Sequence, residues 1–356
     1  MTKPRLDWDI GTAYDMLVSL HVLHDPNKYG LRGSWAAGVR SRLPNPEREM
    51  LQQLMDISFW GLHWVYELEG EKNGRLLLDA LQQMDDSERI FTLGASPYMP
   101  DEMLAILHQT AAQGSFTDAD VEALTHISLG ERKSWTKKRA AQTLEVWANS
   151  SAYGQGLLSA LTEYYNAFFA EEENRIQAPL ANALAEAQAL AATTQVNDLL
   201  ESLSQGLRFP EPLKTETVVL APSFWVTPLV AFVTLADNKQ LFLFGGRPST
   251  MSLVPGEQVP DALYQALKAL ADPTRLRILR YLAEEPLTPA ELSRRLRLRA
   301  PTVIHHLHAL RLARLVHLTL GEAGRRYELR REAVMATCTL LGDFLEEATL
   351  EERSDE

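Results

Sequence analysis

The side chains of this chain best suited to chemistry are cations and hydrogen-bonding groups gathered toward its C-terminal end. Thr302, His305, His308 and Arg311 fall within one short helical pattern, Arg294 and Arg299 precede it, and Arg325 with Arg326 follows a Gly-containing turn. Arg grips guanine or phosphate, Thr donates or accepts, and His does either according to its protonation. That chemistry is recognition of a nucleic acid rather than bond-making. We expect Thr302, His305 and His308 to meet base edges, and Arg294, Arg299, Arg311, Arg325 and Arg326 to meet phosphates or the groove.

Such residues need rigid elements beneath them, and the surrounding stretch supplies start and stop signals for each. Asp272-Pro273 offers a capping oxygen followed by a residue whose fixed φ suits a first helical turn. Leu276, Leu279 and Leu282, with Ile278 alongside, predict an apolar face that ends near Glu284-Glu285-Pro286. Thr288-Pro289-Ala290-Glu291 is a capping box with Pro at the first position. Its helix turns Leu292 and Leu296 inward and leaves Ser293, Arg294, Arg295 and Arg297 largely outside. A third helix opens near Arg299–Pro301, with Val303, His306, Leu307 and Leu310 on the buried stripe. Thr302, Ile304, His305, His308 and Arg311 are left on other faces. Leu315–Leu320 and Arg325–Leu329 then read as strands around Gly321-Glu322-Ala323-Gly324. Helix-helix-helix-strand-turn-strand is the order of a winged helix-turn-helix, which lays one helix in the major groove and a basic hairpin beside it.

Two separated runs also resemble a known family. Leu267-Lys268-Ala269-Leu270-Ala271-Asp272-Pro273-Thr274-Arg275-Leu276-Arg277-Ile278-Leu279 is similar to the opening of ArsR/SmtB-type bacterial transcriptional regulators. Pro301-Thr302-Val303-Ile304-His305-His306-Leu307 resembles their recognition helix, and the likeness spans roughly Asp261–Leu345. What the resemblance implies is a homodimer that binds a near-palindromic operator in double-stranded DNA and usually represses. Ile304 stands where the family usually has Ser, which removes an expected polar contact. Arg299 stands where a Ser cap is common, which suggests a phosphate contact in place of the cap. The family's metal sensors use cysteines on the helix before the recognition helix, or His and acidic residues on the last helix. Ala290–Arg299 holds no Cys and no His follows His317, so we expect no metal sensing and no cofactor. Lone Cys338 cannot form a four-thiolate site and is expected as a buried structural residue.

Composition fits this picture. With 356 residues, 46% apolar and 23% charged, the chain has the length for two or three domains and the make-up of an ordinary globular protein. One cysteine suits a reducing cytoplasm, and the start lacks an apolar signal region. No 18-residue apolar run occurs, so no membrane partner is expected. The net charge of -12 is unevenly spread. Asp261–Arg330 carries 13 Lys+Arg against 7 Asp+Glu, whereas Arg331–Glu356 carries 2 against 8. A basic module inside an acidic chain is the asymmetry of a nucleic-acid reader joined to a part with another task.

The first two-thirds reads as mainly helical. Asp9–Leu23, Ser34–Leu43, a helix from Pro46, Leu76–Met84, helices opening at Pro100 and at the Thr117-Asp118-Ala119-Asp120 cap, Gln142–Phe169 and Pro179–Leu203 carry the pattern. Thr217–Ala221, Leu229–Leu235 and Gln240–Phe244 are β-rich, with a hairpin turn at Asp237-Asn238-Lys239. The fold class expected is mainly α with small antiparallel β. A helical regulatory or dimerisation domain with a short sheet would occupy residues 1–250, a winged helix 258–348, and an acidic tail 349–356. Val334, Cys338, Leu341, Phe344, Leu345 and Ala348 predict an amphipathic last helix, either a dimer seam or a face packed on its own subunit.

Catalytic signatures are missing from the sequence. No Gly-x-Ser-x-Gly elbow or His-Glu-x-x-His motif occurs, and Gly245-Gly246 lacks the spacing of a phosphate loop. His21 and His24 share a helix face without a third ligand, and Glu171-Glu172-Glu173 reads as a solvated charge run. Trp35, Phe59, Trp60, Trp64, Tyr66, Trp147, Tyr164, Tyr165, Phe168, Phe169 and Trp225 enrich the first domain in aromatics. They are either plain core or the lining of a site for a small-molecule effector. The expectation is a non-enzymatic DNA-binding regulator; the alternative is a winged-helix module that docks proteins without binding DNA.

Overall fold

Capping chemistry starts several helices where the sequence offers it. The computed structural model describes residues 4–57, 60–96, 99–127, 135–209, 213–321 and 324–354, with side chains as far as 346. It opens with strand β1 (Arg5–Trp8) and helices α1 (Thr12–His24), α2 (Gly33–Arg40), α3 (Asn45–Asp56) and α4 (Leu62–Glu67). Next come α5 (Gly74–Gln82), α6 (Asp86–Gly94), α7 (Asp101–Gln113), α8 (Asp118–His126), α9 (Lys137–Ala148) and α10 (Ser150–Tyr164). A π turn at Tyr165–Phe169 carries α10 into α11 (Ala170–Ala191), and α12 (Val196–Leu203) follows. Strands β2 (Leu207–Arg208), β3 (Thr217–Ser223), β4 (Ala231–Leu235) and β5 (Lys239–Gly245) end this part. The C-terminal part runs α13 (Asp261–Leu270), α14 (Pro273–Leu282), α15 (Pro289–Leu296), α16 (Ala300–Leu312), β6 (Val316–Gly321), β7 (Gly324–Leu329) and α17 (Arg331–Ser354). The protein is mainly α with short sheets.

The cap read at Thr117 is formed, and as a full capping box, with Thr117 and Asp120 exchanging side-chain and backbone hydrogen bonds. Pro179 does not open a helix as expected; it lies inside α11. The rung lost at its missing N–H is outweighed by a buried face of Glu172, Glu173, Ile176 and Leu180. The charge run is likewise not a solvated face, since Glu172 is 2% and Glu173 6% exposed. Glu172 accepts from Arg175 and from the Trp225 indole Nε1 at 2.9 Å, and Glu173 accepts from the Gly74 amide at 2.7 Å and from Thr12. A helical period turns two of the three glutamates inward, where donors await them.

The predicted hairpin is present, with Asp237 and Asn238 at φ of 56° and 53° in the turn between β4 and β5. These are the left-handed conformations a two-residue hairpin turn needs. The sheet around it is mixed rather than antiparallel. Its order is β1-β3-β5-β4; β1 and β5 both run parallel to β3, with Thr217 opposite Arg5 and Lys239. Strand β1 was not foreseen, being four residues long and paired across 212 residues of sequence. Every residue of β3 is buried, with Val219 and Ala221 in the larger helical core and Val218 and Leu220 in a second core under α11 and α12. Gly245 and Gly246 serve that packing: a Cβ on Gly245 would meet Thr227 Oγ1 at 2.8 Å, and one on Gly246 would meet Pro222 Cβ at 3.1 Å.

A third core belongs to the C-terminal part, built from Ile278, Leu279, Leu282, Leu292, Leu296, Val303, Leu307, Leu310 and their neighbours. Leu276 is not in it and is 49% exposed, because Ile278, Leu279 and Leu282 centre the stripe more than 100° around the helix from it. Cys338 is exposed rather than buried, as are Met335 at 68% and Leu345 at 61%. Phe59, the Glu322-Ala323 turn and the Ala348 side chain lie outside the described residues.

Candidate nucleic-acid interface

Asp272 caps α14 through the Arg275 amide, and Thr288 caps α15 in a full box with Glu291. Arg297 ends α15 in the left-handed conformation at φ 56°, turning the chain sharply into α16. Val303, Leu307 and Leu310 then fix the inner side of α16 against the core. His306 is half-buried on the same side, 4.0 Å from Asp272, and burial holds its pKa below the usual imidazole value.

What remains outside is the N-terminal half of α16. Thr302 and His305 are exposed there, and Ile304 is 53% exposed between them. Arg294, Arg297 and Arg299 are exposed along the end of α15 and the turn. Arg325 and Arg326 are exposed at the start of β7, across the β6–β7 hairpin from Leu320 and Thr319. The hairpin is held to the rest by paired backbone bonds between Leu287 and Tyr327 at 2.8 and 2.9 Å. Arg326 also donates to the Pro286 carbonyl at 3.1 Å. Arg295, by contrast, is engaged by Glu285 at 2.5 Å.

Two of the residues expected at DNA make contacts within the chain. Arg311 is 6% exposed, and its guanidinium donates to the carbonyls of Ser204 and Gln205, both at 2.9 Å. Arg311 therefore ties α16 to the end of α12. His308 is half-buried, with its Nε2 3.1 Å from the Lys28 carbonyl, and burial lowers its pKa. Neither partner was visible from the sequence, because they lie 106 and 280 residues away. Exposed Arg297 belongs beside Arg294 and Arg299; its outward position was legible, but its role at the turn was not.

The hairpin carries one more surprise. Strand β2 pairs in parallel with β6, Leu207 opposite Leu318, so the wing sheet has three strands, one contributed from before residue 250. Arg208 bridges Glu201 and Glu328 beside it. Arg330 donates to the Gln205 carbonyl at 2.8 Å.

The other candidates make contacts within the chain. His21 stacks on Trp60 with ring centroids 3.7 Å apart, and His24 Nδ1 is taken up by the Leu20 carbonyl at 2.7 Å. Among the described residues no group of three or more His, Cys, Asp or Glu is arranged to hold a metal. Trp35, Phe168 and Trp225 pack ring on ring in the large core. A small pocket beside Trp60 is lined by Leu17, Leu20, Leu51, Met55, Leu93, Leu157 and Leu161, all apolar. No described helix is long and apolar enough to cross a membrane.

No curated protein and no solved structure matched the chain. Residues 272–317 match a family model described as bacterial regulatory protein, arsR family. The match runs from the cap of α14 to the first residues of β6, taking in the turn and the helix whose outer face is described above. By its helix order, its wing and this match, the C-terminal part of the chain carries a helix-turn-helix of the ArsR type, a fold of DNA-binding transcriptional regulators.

Proposed function

We propose that the chain is a sequence-specific, homodimeric DNA-binding regulator, acting as a repressor in the cytoplasm and without sensing metal. The observation that carries this reading is the bare outer face of α16: Thr302, Ile304 and His305 exposed, with Arg294, Arg297, Arg299, Arg325 and Arg326 on its flanks. Thr302 and His305 have the hydrogen-bonding groups to read base edges, and Ile304 has the apolar surface to meet a thymine methyl. The arginines hold phosphates and set the register. No catalytic role is assigned to any residue.

Two such faces enter successive major grooves when a two-fold places them ~34 Å apart. Exposed Met335 and Leu345 on α17, with Leu267 at 40% exposure on α13, supply apolar surface suited to that two-fold. The helical body, joined to α16 and β6 by Arg311, His308 and β2, then sets the distance between reading heads. An effector that reshapes the body would change affinity by changing that distance.

Ile304 also favours a second reading, a protein-docking surface, since it is a large apolar side chain at the centre of the face. A gel shift with duplexes from the promoter of the protein's own gene, at two salt concentrations, separates the two. Salt-sensitive binding that loses sequence preference in Thr302→Ala and His305→Ala supports DNA reading. No binding to any duplex at low salt leaves the docking surface.

A further inference from the structure

Where α16 meets the body, arginines gather with too few carboxylates. Arg311 and Arg330 both donate to the Gln205 carbonyl, and Arg330 also donates to the Arg314 carbonyl at 3.1 Å. Arg247, from the end of β5, donates to the Thr227 carbonyl at 3.0 Å and pairs with Asp261 at 3.1 Å. Arg330 has its carboxylate in Glu332, also at 3.0 Å. Arg311 has only neutral carbonyls. Arg314, whose backbone turns left-handed at φ 60° just after the helix, is half-buried, and its guanidinium has no hydrogen-bond or ion-pair partner among the described residues.

Arg311 and Arg314 therefore lack a carboxylate of their own in the joint between body and reading module, since the nearby Asp261 is paired with Arg247. Burial pushes Arg314 down to about 9, and the charge of Arg247 pushes it the same way; burial pushes Arg311 to about 10. Both remain protonated at neutral pH, so the repulsion persists. A cation held near like charges and out of bulk water is unfavourable unless an anion joins it. Arginine is also the side chain whose fork best matches oxyanions. The duplex does not supply that anion, because Arg311 and Arg247 are each 6% exposed and face the body, away from the outer face of α16. Arg314 is less buried and gives the site its opening.

We propose that this joint binds a small doubly charged oxyanion of the phosphate class, held by Arg314 with Arg311, Arg247 and Arg330 around it. The site spans both parts of the chain: Arg247 belongs to the body, and the other three to the reading module and its edge. Occupancy therefore stiffens the angle between them. The binding claim stands apart from DNA reading and is tested without DNA.

The experiment is thermal unfolding of the full-length protein, freed of phosphate, titrated with inorganic phosphate against chloride at constant ionic strength. The expected result is a saturable rise in melting temperature of several degrees, following one-site mass action. Arg314→Met loses the response and Arg314→Lys keeps a reduced one, while Arg299→Met on the outer face keeps it whole. In chloride alone Arg314→Met melts above the wild type, because it relieves the repulsion. A wild type that phosphate leaves unmoved overturns the proposal. So does a shift that never saturates and is equal in every variant, since that is the general salting effect of phosphate. Should Arg314→Met not fold, calorimetric titration of phosphate into the wild-type chain decides, and the lack of a saturating site overturns it.

Discussion

Replacing Arg325 and Arg326 by alanine tests whether the hairpin touches the DNA backbone. Each phosphate contact on B-DNA adds about −0.9 to the slope of log K against log salt concentration. Both side chains are exposed. Arg326 donates to the Pro286 carbonyl at 3.1 Å and lies 3.9 Å from Glu291 Oε2, so it counts for less than one full contact. The double variant should therefore flatten the slope by less than about 1.8 per protomer, uniformly across sequences. Arg311→Met is the contrast. Its guanidinium is buried against the body, donating to Ser204 and Gln205, so the slope should stay at the wild-type value. The substitution instead leaves the Ser204 carbonyl without its donor, while Gln205 keeps Arg330, which destabilises the fold by about 1–3 kcal/mol. Fluorescence anisotropy of a labelled duplex over a potassium chloride series gives the slopes, and thermal melting gives the stability. A double variant with the wild-type slope, or Arg311→Met flattening it as much, would refute the assignment.

Three further outcomes follow from packing and burial. Gly154 lies where α10 crosses α6, and a Cβ there would meet the Asp86 carbonyl oxygen at 1.6 Å. Gly154→Ala should cost at least about 1–3 kcal/mol in urea denaturation, and a variant of wild-type stability would show that the crossing is looser than described. Asp15 is fully buried, accepts from Ser223 Oγ and the Phe224 and Trp225 amides, and burial pushes it up to about 7. A carboxyl raised above its unfolded value binds more protons when folded, so its contribution to stability falls as pH rises from about 4 to about 7. Asp15→Asn should remove that decline, of the order of a few kcal/mol, and matching pH–stability curves for the two proteins would count against it. Finally, if the proposed dimer forms through α17, Met335→Glu with Leu345→Glu should convert it to a monomer by sedimentation equilibrium, while an unchanged dimer mass would move the two-fold elsewhere.

The reading head was legible because its determinants are local. Asp272, the Thr288–Glu291 box and the period of Val303, Leu307 and Leu310 all act within a few residues, and each appears where its pattern puts it. The β4–β5 turn was legible for the same reason. What escaped depends on chain segments far apart in sequence. The parallel pairing of β1 with β3, the strand β2 lent to β6 and the inward turn of Glu172 and Glu173 have no short-range signature. Arg311 shows the limit most plainly. An arginine on the polar side of a recognition helix looks the same in sequence whether it awaits a phosphate or is already held by a carbonyl more than 100 residues away. Cys338 failed through the opposite error, since a small thiol on an apolar stripe is buried only if a neighbour covers it.

The strand lent to β6 bears on any attempt to study the reading head by itself. Cutting the chain after β5 removes Leu207 and Arg208, and with them the amide-to-carbonyl bond from Leu318 to Gly206 at 2.7 Å. The excised piece would present β6 as a raw border of unsatisfied amides and carbonyls, inviting neighbouring molecules to zip onto it. A fragment that clumps on purification would thus be reporting a missing seam rather than an inability to recognise its target.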